Sequence, residues 1–324
     1  MVVLLVLRLP LRRAKTSRRD VPKMSSKLGS KRQRREVSRL PQKAKATTVG
    51  PAILERTTGN KVKNPQGVSP SPPSILVLTD SKTLARAPQS RAIELMLEES
   101  IRESMGFCVG AVGIPTYGKT YLMQKLLARS YEQGLWEIAL IHDVKKAVPQ
   151  YEGAPCASAS AFLENAEAYE NETSIVFHAA TWDQKPPLQD VCEVGRAIAE
   201  GGKRIVVAAD EVYKGTNGHQ DWLKGPPVDG VPQPALYPLF MREGTSQYIS
   251  TPWTTQIPQQ LPVECQSLST AVAQFHLENL AADAATDKFR LDKDGPRVLR
   301  ALQRGEFVLY LQGRDWDRTI YGPA

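Results

Sequence analysis

The segment at 113–120, GIPTYGKT, constrains the fold of this chain more than any other part of the sequence. It matches the phosphate-binding pattern G-x-x-x-x-G-K-[ST], follows an apolar run at 107–112 and precedes a helical pattern at 121–134. A strand that turns through glycines into a helix directs backbone N–H groups and the positive end of the helix dipole at one point. The chain is therefore predicted to bind a nucleoside triphosphate.

The predicted nucleotide contacts are this phosphate-binding loop (P-loop) and the residue that follows it. In such a loop Lys119 adds a positive charge to the phosphates, and the hydroxyl of Thr120 binds a magnesium ion. The predicted nucleotide-binding residues are Gly113, Ile114, Pro115, Thr116, Tyr117, Gly118, Lys119, Thr120 and Tyr121. ATP and Mg²⁺ are accordingly the predicted ligands.

A second signal lies at 203–211, KRIVVAADE. The small and β-branched residues predict a buried strand with Asp210 and Glu211 at its carboxyl end, where ligands bind in parallel sheets. This looks like a Walker B element, in which Asp210 holds magnesium opposite Thr120 and Glu211 activates the attacking water as general base. Asp143 ends another apolar run and is either a strand-end cap or a catalytic carboxylate.

Apolar runs and helical patterns alternate from about residue 75 onward. Strands are predicted at 107–112, 137–142, 174–178, 204–209, 247–251, 269–277 and 307–311, and helices at 92–105, 121–134, 187–200 and 235–242. Alternation of this kind predicts an α/β fold with a mostly parallel sheet and helices on both faces. The predicted globular domain spans 75–324.

The first 74 residues have a different composition. Residues 1–49 carry 15 Lys and Arg against 2 acidic residues, so the rest of this chain of net charge +8 is net acidic. Few apolar residues accompany these charges, and a Pro/Ser linker follows at 65–73, which predicts a disordered basic arm over 1–74. Such an arm either contacts nucleic-acid phosphates or serves as a solubilising or assembly tail. No transmembrane helix is expected, because the apolar start at 1–11 is far too short.

The segment between the carboxylates and the following strand resembles the HerA/FtsK superfamily of ring-forming DNA translocases, which includes viral genome-packaging ATPases. In that family a helix with an Arg near a Gly leads into a strand that ends in Ser/Thr-Gln-Arg-Pro, followed by Ile-Pro or Val-Pro. This chain has Arg242 and Gly244, then YISTPW at 248–253 and Ile257-Pro258. The resemblance covers about 105–311, and only the two Walker elements are specific.

The chain departs from the family pattern at the polar sensor. Pro252 and Trp253 stand where the family has Gln and Arg, so either Thr251 or Gln256 takes the sensor role, or the correspondence slips locally. By the same resemblance Arg242 is the candidate arginine finger for a neighbouring subunit; the alternative is an ordinary surface arginine at a helix end. The loop at 214–224 is either a DNA contact or a plain surface loop.

The resemblance implies a RecA-like P-loop ATPase that assembles into a ring, predicted to be a hexamer, and moves nucleic acid, predicted to be double-stranded DNA. A viral DNA-packaging motor ATPase, located in the host cytoplasm or associated with the virion, fits this pattern best. One alternative is a phage assembly ATPase of the zonula-occludens-toxin-like kind, which normally carries a membrane span. Another is a nucleotide-binding nucleic-acid scaffold with vestigial hydrolysis.

Overall fold

A computed structural model describes residues 84–103, 106–144, 149–178, 187–212, 227, 229–231 and 235–323. The predicted basic arm over 1–74 lies outside these residues, and so does the loop at 214–224, which is either a DNA contact or a plain surface loop. Across the described part of the chain no helix is long and apolar enough to cross a membrane.

Eleven strands of the described residues form one sheet. They are β1 (Ala85–Pro88), β2 (Val109–Val112), β3 (Ile138–His142), β4 (Ala154–Cys156), β5 (Ser174–Phe177), β6 (Ile205–Ala209), β7 (Ile249–Ser250), β8 (Trp253–Thr255), β9 (Ala271–Phe275), β10 (Phe307–Leu311) and β11 (Thr319–Gly322).

The spatial order of the strands is β1-β11-β10-β9-β2-β8-β6-β3-β5-β4, with β7 paired to the start of β6. All pairs from β9 through β2, β8, β6, β3 and β5 to β4 are parallel. Only the pairs β9–β10 and β10–β11 are antiparallel. Because the strands of the parallel part point the same way, the residues that follow β2, β3, β6 and β8 meet at one edge of the sheet.

The helices cover both faces of this sheet. They are α1 (Gln89–Glu103), α2 (Lys119–Glu132), α3 (Ala159–Glu164), α4 (Leu188–Glu200), α5 (Leu236–Glu243), α6 (Val263–Ser267), α7 (Asn279–Lys288) and α8 (Gly295–Ala301). One apolar core contains Met96 of α1 and Leu126 of α2, and the other contains Val191 of α4, Phe240 of α5 and Leu299 of α8. The predicted α/β fold with a mostly parallel sheet is confirmed.

Strand β2, which leads into the P-loop, lies in the middle of the sheet and packs tightly against β8. Gly110 pairs with Trp253, and a Cβ atom at Gly110 would come within 2.2 Å of the indole ring. Trp253 is fully buried and donates its Nε1–H to Ser269 Oγ at 2.8 Å. Trp253, one of the two departures from the family pattern, is therefore a core residue.

Candidate nucleotide-binding site

The P-loop joins β2 to α2 through two glycines with different structural roles. Gly118 caps α2 with a φ of 111°, a conformation that favours glycine. A Cβ atom at Gly113 would lie 2.6 Å from Cβ of Phe275, so the loop passes too close to β9 for a side chain there. The motif thus needs glycine at 118 because of its backbone conformation, and glycine at 113 because β9 lies too close for a side chain.

Lys119 is the first residue of α2, and its side chain folds back over the loop. It is only 3% exposed, and its Nζ donates to the carbonyl oxygens of Gly113 at 2.7 Å and Ile114 at 3.0 Å. The ammonium group is therefore held against the loop backbone, next to the first turn of α2. Positive charge and helix dipole coincide there, as an anion site requires.

A cleft of about 350 Å³ opens over the loop. That volume is in the range of small-molecule sites. The lining residues are Pro115, Thr116, Gly118, Lys119, Thr120, Tyr121, Gln150 and Gln256. The structure thus brings six of the nine predicted nucleotide-binding residues to one cleft. Of the other three, Gly113 and Ile114 accept hydrogen bonds from Lys119 through their carbonyl oxygens, and Tyr117 stacks on His276 at 4.6 Å between ring centroids.

Asp210 follows β6 directly and is 1% exposed. Its Oδ1 accepts a hydrogen bond from Thr254 Oγ1 at 2.6 Å and a longer one from the Tyr151 hydroxyl at 3.4 Å. The Asp210 side chain thus lies where the parallel strands end, and the hydroxyl groups of Thr254 and Tyr151 fix its orientation.

Glu211 is also buried and has a positive φ of 60°. Its backbone N–H donates to Thr254 Oγ1 at 3.2 Å, and its carboxylate accepts from the backbone N–H of Gln256 at 3.0 Å and from the Gln256 side-chain amide. Since Gln256 also lines the cleft over the P-loop, Glu211 is linked to that cleft through one side chain.

The third carboxylate, Asp143, follows β3 at the same edge and is buried. Its Oδ2 accepts from the backbone N–H of Gln150 at 2.8 Å, and the Gln150 side-chain oxygen lies 3.5 Å from Thr120 Oγ1. Asp143 therefore holds a residue of the cleft wall, as a cap does.

Tyr151 lies among these carboxylates. Burial raises its pKa well above the usual value, and the negative charges of Asp210, Asp143 and Glu211 raise this pKa further. The hydroxyl group consequently stays protonated in the ordinary pH range and donates to Asp210.

The structure separates the two candidates for the sensor position. Thr251 lies before β8, and its backbone N–H donates to the carbonyl oxygen of Phe107, at the amino end of β2. Gln256 follows β8, lines the cleft and contacts Glu211. Of the two, only Gln256 is at the nucleotide-binding edge.

Arg242 is not brought together with the other predicted site residues. It is exposed near the end of α5, which leads through Gly244–Gln247 into β7. Because β7 pairs with Ile205 and Val206 at the amino end of β6, this helix end lies away from the P-loop edge of its own chain.

A turn at 303–306, before β10, braces the tip of the P-loop. Arg304 Nε donates to the carbonyl oxygen of Thr116 at 3.0 Å, and the N–H of Gly305 donates to that of Tyr117 at 3.1 Å. Within the turn, Glu306 accepts from the backbone N–H of Gln303 at 2.9 Å and forms an ion pair with Arg86 of β1 at 2.5 Å. The P-loop is thus hydrogen-bonded to the turn before β10, one of the antiparallel strands, and this turn is itself joined to β1 by the ion pair.

The donors at this edge suit magnesium rather than a metal held by protein alone. The described residues contain no group of three or more His, Cys, Asp or Glu side chains that could hold a metal ion. A threonine hydroxyl and one carboxylate are the oxygen donors with which proteins hold Mg²⁺ together with substrate phosphates. Thr120 and Asp210 fit this requirement.

Sequence reasoning missed Gln150, Tyr151 and Thr254. Each is a polar residue in a loop or a three-residue strand, and its partner is far away in the chain: Thr120 for Gln150, Asp210 for Tyr151 and Thr254. The only local signal was the polar run that follows Trp253, which indicates residues at a strand end.

The strand order, the P-loop between β2 and α2, and the carboxylates after β6 define a P-loop NTPase fold. A solved structure with a similar fold is the genome packaging NTPase B204 from Sulfolobus turreted icosahedral virus 2 in complex with AMP, at 14% identity over 68% of this chain and 98% of that chain, with a TM-score of 0.48. VirB4 of Thermoanaerobacter pseudethanolicus is 12% identical over 64% of this chain and 87% of that chain, with a TM-score of 0.43.

The N-terminal domain of zonular occludens toxin from Neisseria meningitidis is 16% identical over 52% of this chain and 76% of that chain, with a TM-score of 0.30. At such identities the likeness is one of fold alone. No protein-family model and no curated protein matches the chain.

Proposed function

We propose that this protein is an ATP-hydrolysing nucleic-acid translocase, a ring-forming motor that packages double-stranded DNA. The observation that carries the ATPase part is the position of Gln256, which lines the cleft over the P-loop and at the same time binds the carboxylate of Glu211. A carboxylate linked in this way to the phosphate cleft is suited to direct a water molecule at a bound triphosphate.

Lys119 and the first turn of α2 bind the phosphates. The Lys119 ammonium leaves the carbonyl oxygens of Gly113 and Ile114 and neutralises charge on the transferring phosphoryl group. Thr120 and Asp210 would hold Mg²⁺, which supplies further neutralisation of the phosphate oxygens when bound. Thr254 keeps the Asp210 carboxylate oriented for this role through its hydrogen bond of 2.6 Å.

Glu211 orients the attacking water and accepts its proton. Gln256 acts as the polar sensor, because its amide contacts Glu211 and its side chain reaches the cleft where the terminal phosphate would lie. Loss of the terminal phosphate would thereby change the contacts of Gln256 and so the position of the segment that follows β8.

Translocation and assembly rest on the resemblance of the segment from Arg242 to Pro258 to the HerA/FtsK superfamily. Arg242 acts as an arginine finger in the site of the next subunit of a hexameric ring, which agrees with its exposed position away from the P-loop of its own chain. The basic arm over 1–74 and the loop at 214–224 contact the nucleic acid. The protein works in the host cytoplasm and associates with the virion.

Steady-state ATP hydrolysis with and without double-stranded DNA tests this function. Replacing Glu211 with Gln keeps the size of the side chain and removes the base, so we expect kcat to fall by about 10²- to 10⁴-fold. Glu164→Gln, an exposed position on α3, is the matched control and should hydrolyse ATP like the wild type.

Unchanged hydrolysis by Glu211→Gln would contradict the catalytic assignment. A rate that DNA does not alter would contradict the translocase assignment. Measurement of the particle mass with nucleotide bound tests the ring, and a strict monomer would leave Arg242 without a site to act on.

A further inference from the structure

A separate cleft of about 390 Å³ lies between the second half of α2, the loop before β4 and the start of β5. That volume is within the range of small-molecule sites. None of the described residues that line this cleft also lines the cleft over the P-loop. This second cleft, the α2 cleft, therefore has no assigned role in the binding of ATP.

The inner walls of the α2 cleft are apolar and aromatic. Leu127 and Tyr131 of α2 contribute to them, and so do Trp136, just before β3, and Ile141, within β3. The Tyr131 and Trp136 rings lie 4.8 Å apart between centroids, and Tyr131 is 46% exposed. Such walls bury methylene groups favourably, and the face of an aromatic ring attracts an ammonium group. They therefore suit an alkylammonium compound.

Two carboxylates, those of Glu152 and Glu172, add negative charge to the same cleft. Both side chains are exposed, and neither forms an ion pair with any residue in the described part of the chain. Among the described residues that line the cleft, none is a Lys, Arg or His. A cation in the cleft would therefore meet two negative charges, which favours a ligand with two positive charges.

Close packing of the loop before β4 against the start of β5 brings these carboxylates to one cleft. A Cβ atom at Gly153 would lie 2.7 Å from the carbonyl oxygen of Ser174. The Ser174 hydroxyl donates to the carbonyl oxygen of Glu152 at 3.2 Å. Glu152 is thus held beside the residues that lead into β5, of which Glu172 is one.

Two aromatic residues of the cleft are fixed by hydrogen bonds to atoms outside it. Trp136 Nε1 donates to Ser130 Oγ at 2.8 Å, and the Tyr151 hydroxyl donates to Asp210 Oδ1 at 3.4 Å. The cleft is therefore preformed, and a ligand would not have to order these walls on binding.

We propose that the α2 cleft binds a linear aliphatic diamine or polyamine. The methylene chain lies against Leu127, Tyr131 and Trp136, and ammonium groups pair with Glu152 and Glu172. A monoamine would engage only one carboxylate at a time, and a hydrated metal ion would leave the apolar walls unused. The site goes beyond the proposed function, since it depends neither on ATP hydrolysis nor on DNA.

Calorimetric titration of the full chain at low ionic strength tests the site with two probes of equal length. Putrescine has an ammonium group at each end of a butane chain, and n-butylamine has one ammonium group on the same chain. We expect putrescine to bind at least about fivefold more tightly, because it alone pairs with both carboxylates.

Glu152→Gln and Glu172→Gln keep the size of each side chain and remove its charge. Each should weaken putrescine binding about three- to fivefold, and the double variant should weaken it about tenfold or more. Glu167→Gln, at an exposed position of the short helical turn Ala166–Tyr169 outside the cleft, is the matched control and should bind like the wild type. ATP hydrolysis should be unchanged in all of these variants.

The aromatic wall is tested at an exposed position of α2. Tyr131→Ala removes the ring and should weaken putrescine binding about three- to fivefold. Tyr131→Phe keeps the ring and should bind putrescine within about twofold of the wild type.

A wild-type protein that does not bind putrescine would overturn the proposal, and so would n-butylamine that binds as tightly as putrescine. If Asp210→Asn weakened putrescine binding and the double variant at Glu152 and Glu172 did not, the cation would lie at the proposed magnesium site, which would also overturn it. None of these results bears on ATP hydrolysis, which the Glu211→Gln assay tests separately.

Discussion

The two ends of the parallel strands bury polar groups in different ways. At the amino ends the buried groups are neutral hydroxyls that bond to the backbone: Ser269 to Cys265 O at 2.6 Å, Ser100 to Met96 O at 2.7 Å, and Thr270 to Cys108 O at 3.0 Å. At the carboxyl ends the buried polar groups include Lys119 and Thr254, and they differ from those at the amino ends by the carboxylates of Asp143, Asp210 and Glu211.

This difference predicts that the amino ends of the strands contribute mainly to stability and the carboxyl ends mainly to function. A buried hydroxyl that is fully hydrogen-bonded stabilises the fold, whereas several buried carboxylates close together cost free energy. The amino end is therefore expected to hold the sheet together, and the carboxyl end to hold negative charge ready for a magnesium ion. Substitutions at the two ends should affect different measurements.

The largest effect is expected at the carboxyl end. Asp210→Asn keeps an oxygen that can accept from Thr254 but loses the charge that we propose binds magnesium, so kcat should fall by about 10²- to 10³-fold. The midpoint of thermal unfolding should stay the same or rise, because a buried negative charge has been removed. Hydrolysis assays and thermal melts check both parts.

The control for this variant is Asp287→Asn, on the exposed side of α7, which should change neither quantity. If Asp210→Asn lost stability but not hydrolysis, the carboxyl ends of the strands would contribute to stability rather than to function, contrary to our expectation.

A smaller effect, on stability alone, is expected at the amino end. Ser269→Ala leaves the Trp253 indole N–H and the Cys265 carbonyl oxygen without their partner, at a cost of about 1–3 kcal/mol in the free energy of unfolding. Denaturant unfolding should show this loss, and kcat should stay within about twofold of the wild type.

Ser267→Ala removes an exposed serine hydroxyl two residues away and is the matched control, with an expected change under about 0.5 kcal/mol. If the two variants were equally stable, the hydrogen bonds of Ser269 would not contribute to holding the sheet.

The smallest effect is expected for Tyr151→Phe, which retains the ring and removes one long hydrogen bond to Asp210. We expect kcat to fall by only about two- to tenfold, because this hydrogen bond is long and Thr254 still holds the Asp210 carboxylate. Because the pKa of Tyr151 is raised, its hydroxyl ionises only above its usual value of about 10. The rate–pH profiles of wild type and variant should therefore run parallel up to pH 10.

Tyr169→Phe, whose hydroxyl bonds to Pro155 O outside the site, serves as the control. A fall of the wild-type rate below pH 10 that is missing in Tyr151→Phe would show that Tyr151 ionises in that range, against the burial seen here.

The sequence predicts those parts of the fold that are carried by long local patterns. The run at 307–311 is β10 as predicted, and the helix predicted at 187–200 is α4, Leu188–Glu200. The helix predicted at 92–105 begins three residues earlier, at Gln89. Such elements can be recognised in the sequence because each contains enough apolar residues to show the periodicity of a helix or a strand.

Short elements gave no such signal. The strand predicted at 247–251 contains only the two residues of β7, Ile249–Ser250, and the strand that follows Pro252, β8 at Trp253–Thr255, was not predicted. Strands β1, β4 and β11 and helices α3, α6, α7 and α8 were not predicted. Three- and four-residue strands are held by neighbours from distant parts of the chain, so their local sequence carries little information.

The site was predictable where a motif fixes the backbone and unpredictable where long-range packing does. The P-loop and the Asp210–Glu211 pair follow from their own sequence. Gln256 was one of two candidates, and its selection required knowing that β8 ends beside β6.

The ion pair between Arg86 and Glu306 gives the P-loop a mechanical connection. Glu306 belongs to the turn that holds Thr116 and Tyr117, and Arg86 lies on β1, near the beginning of the described chain. Strand β1 is therefore joined to the tip of the phosphate loop through one carboxylate and a four-residue turn, in addition to its pairing with β11. We expect a displacement of β1 to be transmitted to the backbone of Thr116 and Tyr117.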